Sequence, residues 1–517
     1  MTEHAVDNHR CRTATHRAGI KAAPAAAALA AGMAVAQIIS TLHVYLSNDR
    51  LYRNMRMIAD AGYLTVPNAD TLALLNEVSS AFWGGLFFTV TVGAFLSLLS
   101  FLCACVMIHV VKRRKWVSVL GGIVWVLVLM FVVLQGGTGM AAAYFMFVPP
   151  AVFMVSLISV PRRPVRKAAV VALCHTTAIL VLAIAWTAQL DRRMFIDFRD
   201  GMLLSNPVGE KITAYYYRYT LYPAAVFASP EQKMIKTVVI DGNMTANLRH
   251  RMENTCIALD YLPLKDVPEV DLALRVEGER LFFQNRGSPI LETTVAAFQA
   301  SPHTYLKAYS KAVDTYAFFR RFALVSLLIG FPIVFYIMLY TTVRLVFFRI
   351  IGDLPSVLTA VLICFLTGLS LLMMFHMNRS GRYDVSDIHD LMGSCDHMDR
   401  VNGWKMLYQN NLEPDKIPNY RVDLHHPSVP VRYWMAKALG RSKSRHTLDD
   451  LIMLADDPHP NVACQAFDAL GKRGNRAFIP LLLKKLADSR HWYVQVYVYR
   501  ALRELGWKQK LSTSAFS

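Results

Sequence analysis

Seven stretches of this chain run for about twenty residues or more with no Asp, Glu, Lys or Arg in their interior, the length a helix needs to cross about 30 Å of hydrocarbon. They cover 23–46, 82–111, 116–134, 140–160, 168–190, 322–343 and 354–375. A water-soluble fold must interrupt such runs with polar positions to give its helices an outer face. The expected fold class is therefore a multipass α-helical membrane protein of about seven spans. The hydrophobic fraction of 54% over 517 residues agrees with that class.

Orientation follows from the short basic loops, because Lys and Arg beside a span are retained on the cytoplasmic side. Lys112-Arg113-Arg114-Lys115 separates the second and third runs, Arg162-Arg163-Pro164-Val165-Arg166-Lys167 the fourth and fifth, and Arg344 with Arg349 the sixth and seventh. All fall on one face, as does the basic N-terminus. Segments 47–81, 191–321 and 376–517 are then expected outside, against the bias of Arg50, Arg53, Arg56, Arg192 and Arg193. In a second reading the first run is a signal peptide cleaved near Ala34-Val35-Ala36, although its apolar stretch continues beyond that point. Cleavage leaves the placement of the other segments unchanged.

Lys and Arg (55) exceed Asp and Glu (37), but much of the excess sits in these loops, so it does not point to nucleic acid. An ionisable group at bilayer depth marks ion or proton transport. His175 is the one titratable residue well inside a run, and its expected role is a packed contact between helices. Eight Cys without paired spacing argue against a disulfide framework or a zinc ribbon.

The domain organisation is a five-span region over 1–190, an extramembrane α/β domain over 191–321, two further spans over 322–376, and a linker with a helical solenoid over 377–517. In the first extramembrane domain Tyr215, Tyr216, Tyr219 and Tyr222 crowd a helix expected at the membrane interface, where rings with a polar edge are favoured. A strand is expected at 236–240, a helix at 246–259, and an alternating strand through Leu272, Leu274 and Val276. Hairpin turns follow at Glu277-Gly278-Glu279 and Asn285-Arg286-Gly287, then a helix over 292–300. Asp241-Gly242-Asn243 reads as a turn, Cys256 as a buried thiol, and Asn243-Met244-Thr245 as a glycosylation acceptor only in a eukaryotic secretory setting. No catalytic constellation is read there.

The C-terminal region repeats itself. Pro430-Val431-Arg432-Tyr433-Trp434-Met435-Ala436-Lys437-Ala438-Leu439-Gly440 aligns with 461–471, 31 residues on, and a third copy closes with Ala501-Leu502-Arg503-Glu504-Leu505-Gly506. Each copy starts at a turn rich in Pro, His or Asp and ends in Leu-Gly, and a second apolar helix lies between copies, over 448–455 and 477–486. That period means stacked helix pairs. The pattern resembles HEAT repeats, of the short kind known from phycobilisome lyases, over about 85 residues of this chain. The resemblance implies an α-solenoid that binds another protein; no lyase residue carries over.

Arg432, Tyr433, Trp434, Arg490, Trp492, Tyr493, Arg500 and Trp507, with His491, are the candidates for that partner-binding face, since Trp, Tyr and Arg dominate interface hot spots. Half of the aromatics are equally well placed in a core. Before the repeats stand Asp384, Asp387, His389, Asp390, Cys395, Asp396, His397 and Asp399, whose spacing fits no familiar metal site and reads as a solvated acidic face. No cofactor or metal is expected. The functional expectation is a non-enzymatic, bacterial-type inner-membrane scaffold that presents the α/β module and the repeats to an unknown protein partner. The alternative is a membrane enzyme or carrier for a lipid or small solute, with its site in the bundle near His175 or near Gly136, Gly137 and Gly139.

Overall fold

The computed structural model describes residues 24–109, 115–134, 140–160, 168–191, 193–219, 227–265, 267, 269–377 and 383–510. The chain folds as two compact units. One takes the chain up to Leu46 together with 78–192 and 315–377; the other takes 47–77, 193–314 and the chain from Asn378 onward.

All seven apolar runs are helical in the first unit. Helix Pro24–Asp60 passes from this unit into the next; helices Lys115–Leu134, Met140–Ser159, Ala168–Thr187 and Asp353–Met377 lie within it. Helices Val78–Phe88 and Ala94–His109 are joined through a π-turn at Thr89–Gly93, and Ala317–Val325 and Phe331–Ile351 through another at Ser326–Gly330. Five of the helices are long and apolar enough to cross a membrane: Pro24–Asp60, Val78–Ile108, Ala141–Ser159, Ala317–Ile351 and Leu354–Met377. Val119–Leu134 and Leu173–Thr187 are shorter apolar helices.

This unit carries apolar side chains on its outside as well as in its interior, where Leu29, Phe88, Tyr144 and Val148 are buried. Ile123, Leu127, Met130, Met154, Ile184 and Leu362 are more than half exposed or close to it, whereas Ser40, Thr89, Thr91, Ser97, Ser156 and Ser326 are buried. The inner hydroxyls bond to backbone carbonyls one turn back, as Ser97 does to Gly93 (2.7 Å) and Ser156 to Val152 (2.7 Å). A polar seam also links the first two helices. Thr89 Oγ1 donates to Gln37 Oε1 (2.7 Å) and lies 3.1 Å from Ser40 Oγ, while Gln37 Nε2 donates to Phe82 O (2.9 Å). Gly93 makes the close approach possible, because a Cβ there would run into Ala36. Pro332 has no N–H to offer the carbonyl four residues before it, and Trp186 Nε1 donates to that carbonyl, Leu328 O, at 3.0 Å.

The second unit holds a five-stranded sheet in the order β2-β1-β3-β4-β5: β1 Lys236–Gly242, β2 Tyr261–Pro263, β3 Leu272–Glu277, β4 Arg280–Asn285 and β5 Ser288–Thr294. β1 pairs in parallel with β2 and β3, and β3, β4 and β5 follow as an antiparallel meander. Helix Ala246–Ala258, capped by Thr245, crosses from β1 to β2 and buries Met252 and Cys256. Alternation places Leu272, Leu274 and Val276 in the core with Phe283, Phe298 and Tyr309.

Two local readings change. The helix expected from 292 begins at Val295, because Glu292 pairs with Phe282 in the sheet and Thr294 Oγ1 caps the helix by accepting from Ala297 N (3.2 Å). Gly242 ends β1 at φ +113°, where a Cβ would strike the backbone of Val276, so the close approach of β3 requires glycine. The segment expected as a linker before the repeats is itself folded, with helices Ile388–Gly393 and His397–Gln409 contributing Ile388, Leu391, Val401, Trp404 and Leu407 to the core of the repeats.

Candidate interaction surface

The repeats consist of helices Val429–Leu439 and His446–Ala455, then Pro460–Lys472 and Ile479–Asp488, and a final helix Trp492–Glu504. Helix His397–Gln409 packs beside Val429–Leu439 at the head of the stack. Ala436, Ala438, Ala466, Ala469 and Ala501 are at most 1% exposed, so the first helix of each repeat approaches its neighbour closely. Arg432 links consecutive repeats through a two-pronged bond to Asp457 (Nε to Oδ2 2.6 Å, Nη2 to Oδ1 3.2 Å).

Each repeat carries a histidine near the start of its first helix, His459 and His491 at the N-cap and His426 two residues before the N-cap Ser428. His426 Nδ1 accepts from Ser428 N (3.0 Å), His459 Nδ1 accepts from Asn461 N (3.3 Å), and His491 is the N-cap of the last helix. An imidazole accepts such a bond only when neutral. Burial pushes all three below the ordinary histidine value, His459 to about 4.

The first helices of the repeats are covered by other parts of the same unit. The short helix Met194–Phe198 and a π-turn at Arg199–Leu203 bring Asp197 and Asp200 to one side, both buried. Trp434 Nε1 donates to Asp200 Oδ2 at 2.7 Å, and Arg199 holds Asp200 Oδ1 with two nitrogens (2.7 and 2.9 Å). Lys405 Nζ lies 3.2 Å from Asp200 Oδ2 and 3.4 Å from Asp197 Oδ1. The Arg199 guanidinium stacks 4.0 Å from the Tyr433 ring centre, and the Lys437 ammonium sits 4.4 Å from that of Trp434. Burial, then the charges of Arg199 and Lys472, lowers the pKa of Lys437. Two buried carboxylates are thus paired with cations that lie over aromatic rings, and the cluster ties the first repeat helix to segment 194–203.

Further contacts join the last repeat to three segments. Tyr493 stacks on Tyr217 with ring centres 4.5 Å apart, and Trp492 Nε1 donates to Tyr217 O (2.9 Å). Gln495 accepts from Asn68 N (3.0 Å) and donates to Thr71 Oγ1 (3.1 Å), while Gln509 bonds both backbone groups of Leu64 at 2.8 Å. Tyr499 Oη donates to Asp260 Oδ1 (2.7 Å), which Arg503 also holds (3.0 Å).

Of the eight candidate partner residues, six are therefore engaged inside the unit: Arg432, Tyr433, Trp434, Trp492 and Tyr493 as above, and Trp507 edge-on to Tyr499 at 6.0 Å. Arg490 and Arg500 are exposed. A groove of about 340 Å³ beside Arg490 is lined by Asp456, Phe467, Lys485, Asp488 and His491.

The remaining candidates fall as follows. Tyr215 and Tyr219 lie 5.3 Å apart on helix Pro207–Tyr219, Tyr216 is 37% exposed, and Tyr222 lies outside the described residues. The acidic stretch before the repeats caps helix ends: Asp384 and Asp387 form a capping box, Asp396 accepts from Met398 N (2.8 Å), and Asp399 accepts from Ser394 Oγ (2.8 Å). Among the described residues no group of three or more His, Cys, Asp or Glu is placed to hold a metal ion. His175 Nδ1 lies 3.1 Å from Tyr336 Oη and its ring meets Tyr340 edge-on at 4.4 Å; Gly136, Gly137 and Gly139 are outside the described residues. Sequence reasoning missed Asp197, Arg199, Asp200 and Lys405. The available signal was an acidic pair three apart among Phe195, Ile196 and Phe198, a spacing that puts both carboxylates on one helical face.

Residues 422–503 match the HEAT repeats family, and the C-terminal region is a HEAT repeat region. Comparison with curated proteins and with solved structures gave no match.

Proposed function

We propose that the chain is an integral membrane scaffold that holds its HEAT repeats and its α/β module as one unit on the outer face of a bilayer and binds a protein partner there. The observation that carries this reading is the parity of the apolar helices. Segments 47–77, 193–314 and 378–510 fold into one unit although four apolar runs separate the first from the second and two the second from the third, counting helices joined through a π-turn as one run. Even numbers of crossings return a chain to the side it left. Parity stays even when only the longer helices are counted, since Val78–Ile108 and Ala141–Ser159 then lie between the first two segments. The exposed alkyl groups on the outside of the first unit suit a lipid solvent, and its buried hydroxyls are hydrogen-bonded internally. The short basic loops between the other runs support the outside as the shared side.

HEAT repeats serve chiefly as surfaces for other proteins. The aromatic side of this solenoid holds its own chain, so the partner is assigned to the exposed edge at Arg490 and Arg500 and the neighbouring groove. The test is cross-linking and capture with the full-length chain in membranes, wild type beside R490E/R500E. A partner whose yield falls about tenfold in the double variant supports the assignment. Equal recovery by both proteins removes it.

A further inference from the structure

Helix Pro207–Tyr219 has two unlike faces. Gly209 and Thr213 are buried, and Tyr217 carries the stack on Tyr493 and the carbonyl that accepts from Trp492. Gly209 packs against Met202 and Leu203 of the preceding π-turn, and Tyr217 docks the helix on the last repeat. Val208 and Ile212 point elsewhere, at 68% and 53% exposed, and Tyr216 follows at 37%. At 3.6 residues per turn Val208, Ile212, Tyr215, Tyr216 and Tyr219 fall within a sector about 100° wide, and Lys211 and Arg218 line one edge of it.

We infer that this stripe lies on the lipid surface, which makes the helix a strap with one face on the repeats and the other among lipid headgroups. The inference rests on the membrane reading above. Three features select lipid over water or a protein. Aliphatic residues exposed to this degree are costly in water. Tyrosines favour the headgroup level, where the ring is apolar and the hydroxyl stays wet, and long cations beside an apolar stripe reach up to anionic headgroups. The tether is the third: the chain reaches this helix from apolar helix Ala168–Thr187 by way of the short helix Met194–Phe198, whose Phe195 is itself 53% exposed.

The test places a diazirine-bearing amino acid at 212, at 217 and, as a control, at 362 within helix Asp353–Met377, where Leu362 is 56% exposed. The full chain is reconstituted in vesicles of phosphatidylethanolamine and phosphatidylglycerol, irradiated and digested. Lipid adducts at 212 and 362 with similar yield, and a cross-link from 217 to the last repeat, are expected. Adducts at 362 without adducts at 212 overturn the strap and leave the membrane reading intact, and so does capture of a protein at 212. Absence of lipid at both positions removes the membrane reading and the strap with it.

Discussion

Acidification should loosen the HEAT repeats, most of all through His459, the repeat histidine whose value burial lowers furthest. Its Nδ1 accepts from the backbone at the start of helix Pro460–Lys472, so a proton on the ring removes the cap and sets a positive charge at the positive end of a helix dipole. Burial keeps the ring neutral down to about 4. Asp457, which accepts from His459 N at 2.8 Å, opposes this, while Arg432 and His491 reinforce it. The folded value lies below that of an unfolded histidine, near 6.5. Stability is therefore full above about pH 6.5, falls as the unfolded chain takes up the proton that the fold refuses, and levels off near pH 4. The gap corresponds to about 3 kcal/mol, which partial exposure of the ring reduces to about 2. Asparagine keeps an acceptor at the cap without a titrating group, so H459N should match the wild type at pH 7.5 and gain on it by about 2 kcal/mol at pH 4.5. The assay is urea unfolding of the full chain in detergent, followed by the fluorescence of Trp404, Trp434, Trp492 and Trp507. Identical pH profiles for the two proteins would refute the reasoning.

Other outcomes follow from the same geometry. D200N leaves Arg199 and Lys405 buried beside a neutral amide and should destabilise the repeat unit by about 3 kcal/mol or more in the same unfolding assay; a change within about 0.5 kcal/mol would show that the cluster contributes little. G242A forces a Cβ into the backbone of Val276 at positive φ and should cost about 2 kcal/mol or more, read as loss of the folded α/β module in limited proteolysis. Burial pushes the Cys256 thiol up to about 12, so under native conditions a maleimide should label exposed Cys395 at least a hundredfold faster than Cys256, with the two rates converging in denaturant.

Much of the fold was legible because its signals are long or repeated. The seven uncharged runs are helical over most of their described residues, the Leu-Gly endings marked the repeats, and alternation at Leu272, Leu274 and Val276 placed the core of the sheet. What escaped was everything set by pairing across long distances in sequence. Trp434 reads as an interface hot spot from its type and helix, but its partner Asp200 stands over two hundred residues earlier, and no local pattern joins them. The same holds for Gln495 with Asn68 and Gln509 with Leu64, whose amides look solvent-directed until the backbone they satisfy is in place. The acidic stretch before the repeats illustrates the converse. Its charges are local, and helix capping absorbs Asp384, Asp387 and Asp396 without any ligand.

The side of the membrane reached by the C-terminus tests the central claim most directly. With alkaline phosphatase or a fluorescent protein fused after Ser517, and a protease site introduced in 47–77 of the same chain, both probes should report the outer face: active phosphatase, a dark fluorescent fusion, and cleavage in intact cells. A fluorescent fusion, with the site in 47–77 protected from external protease, would contradict the account.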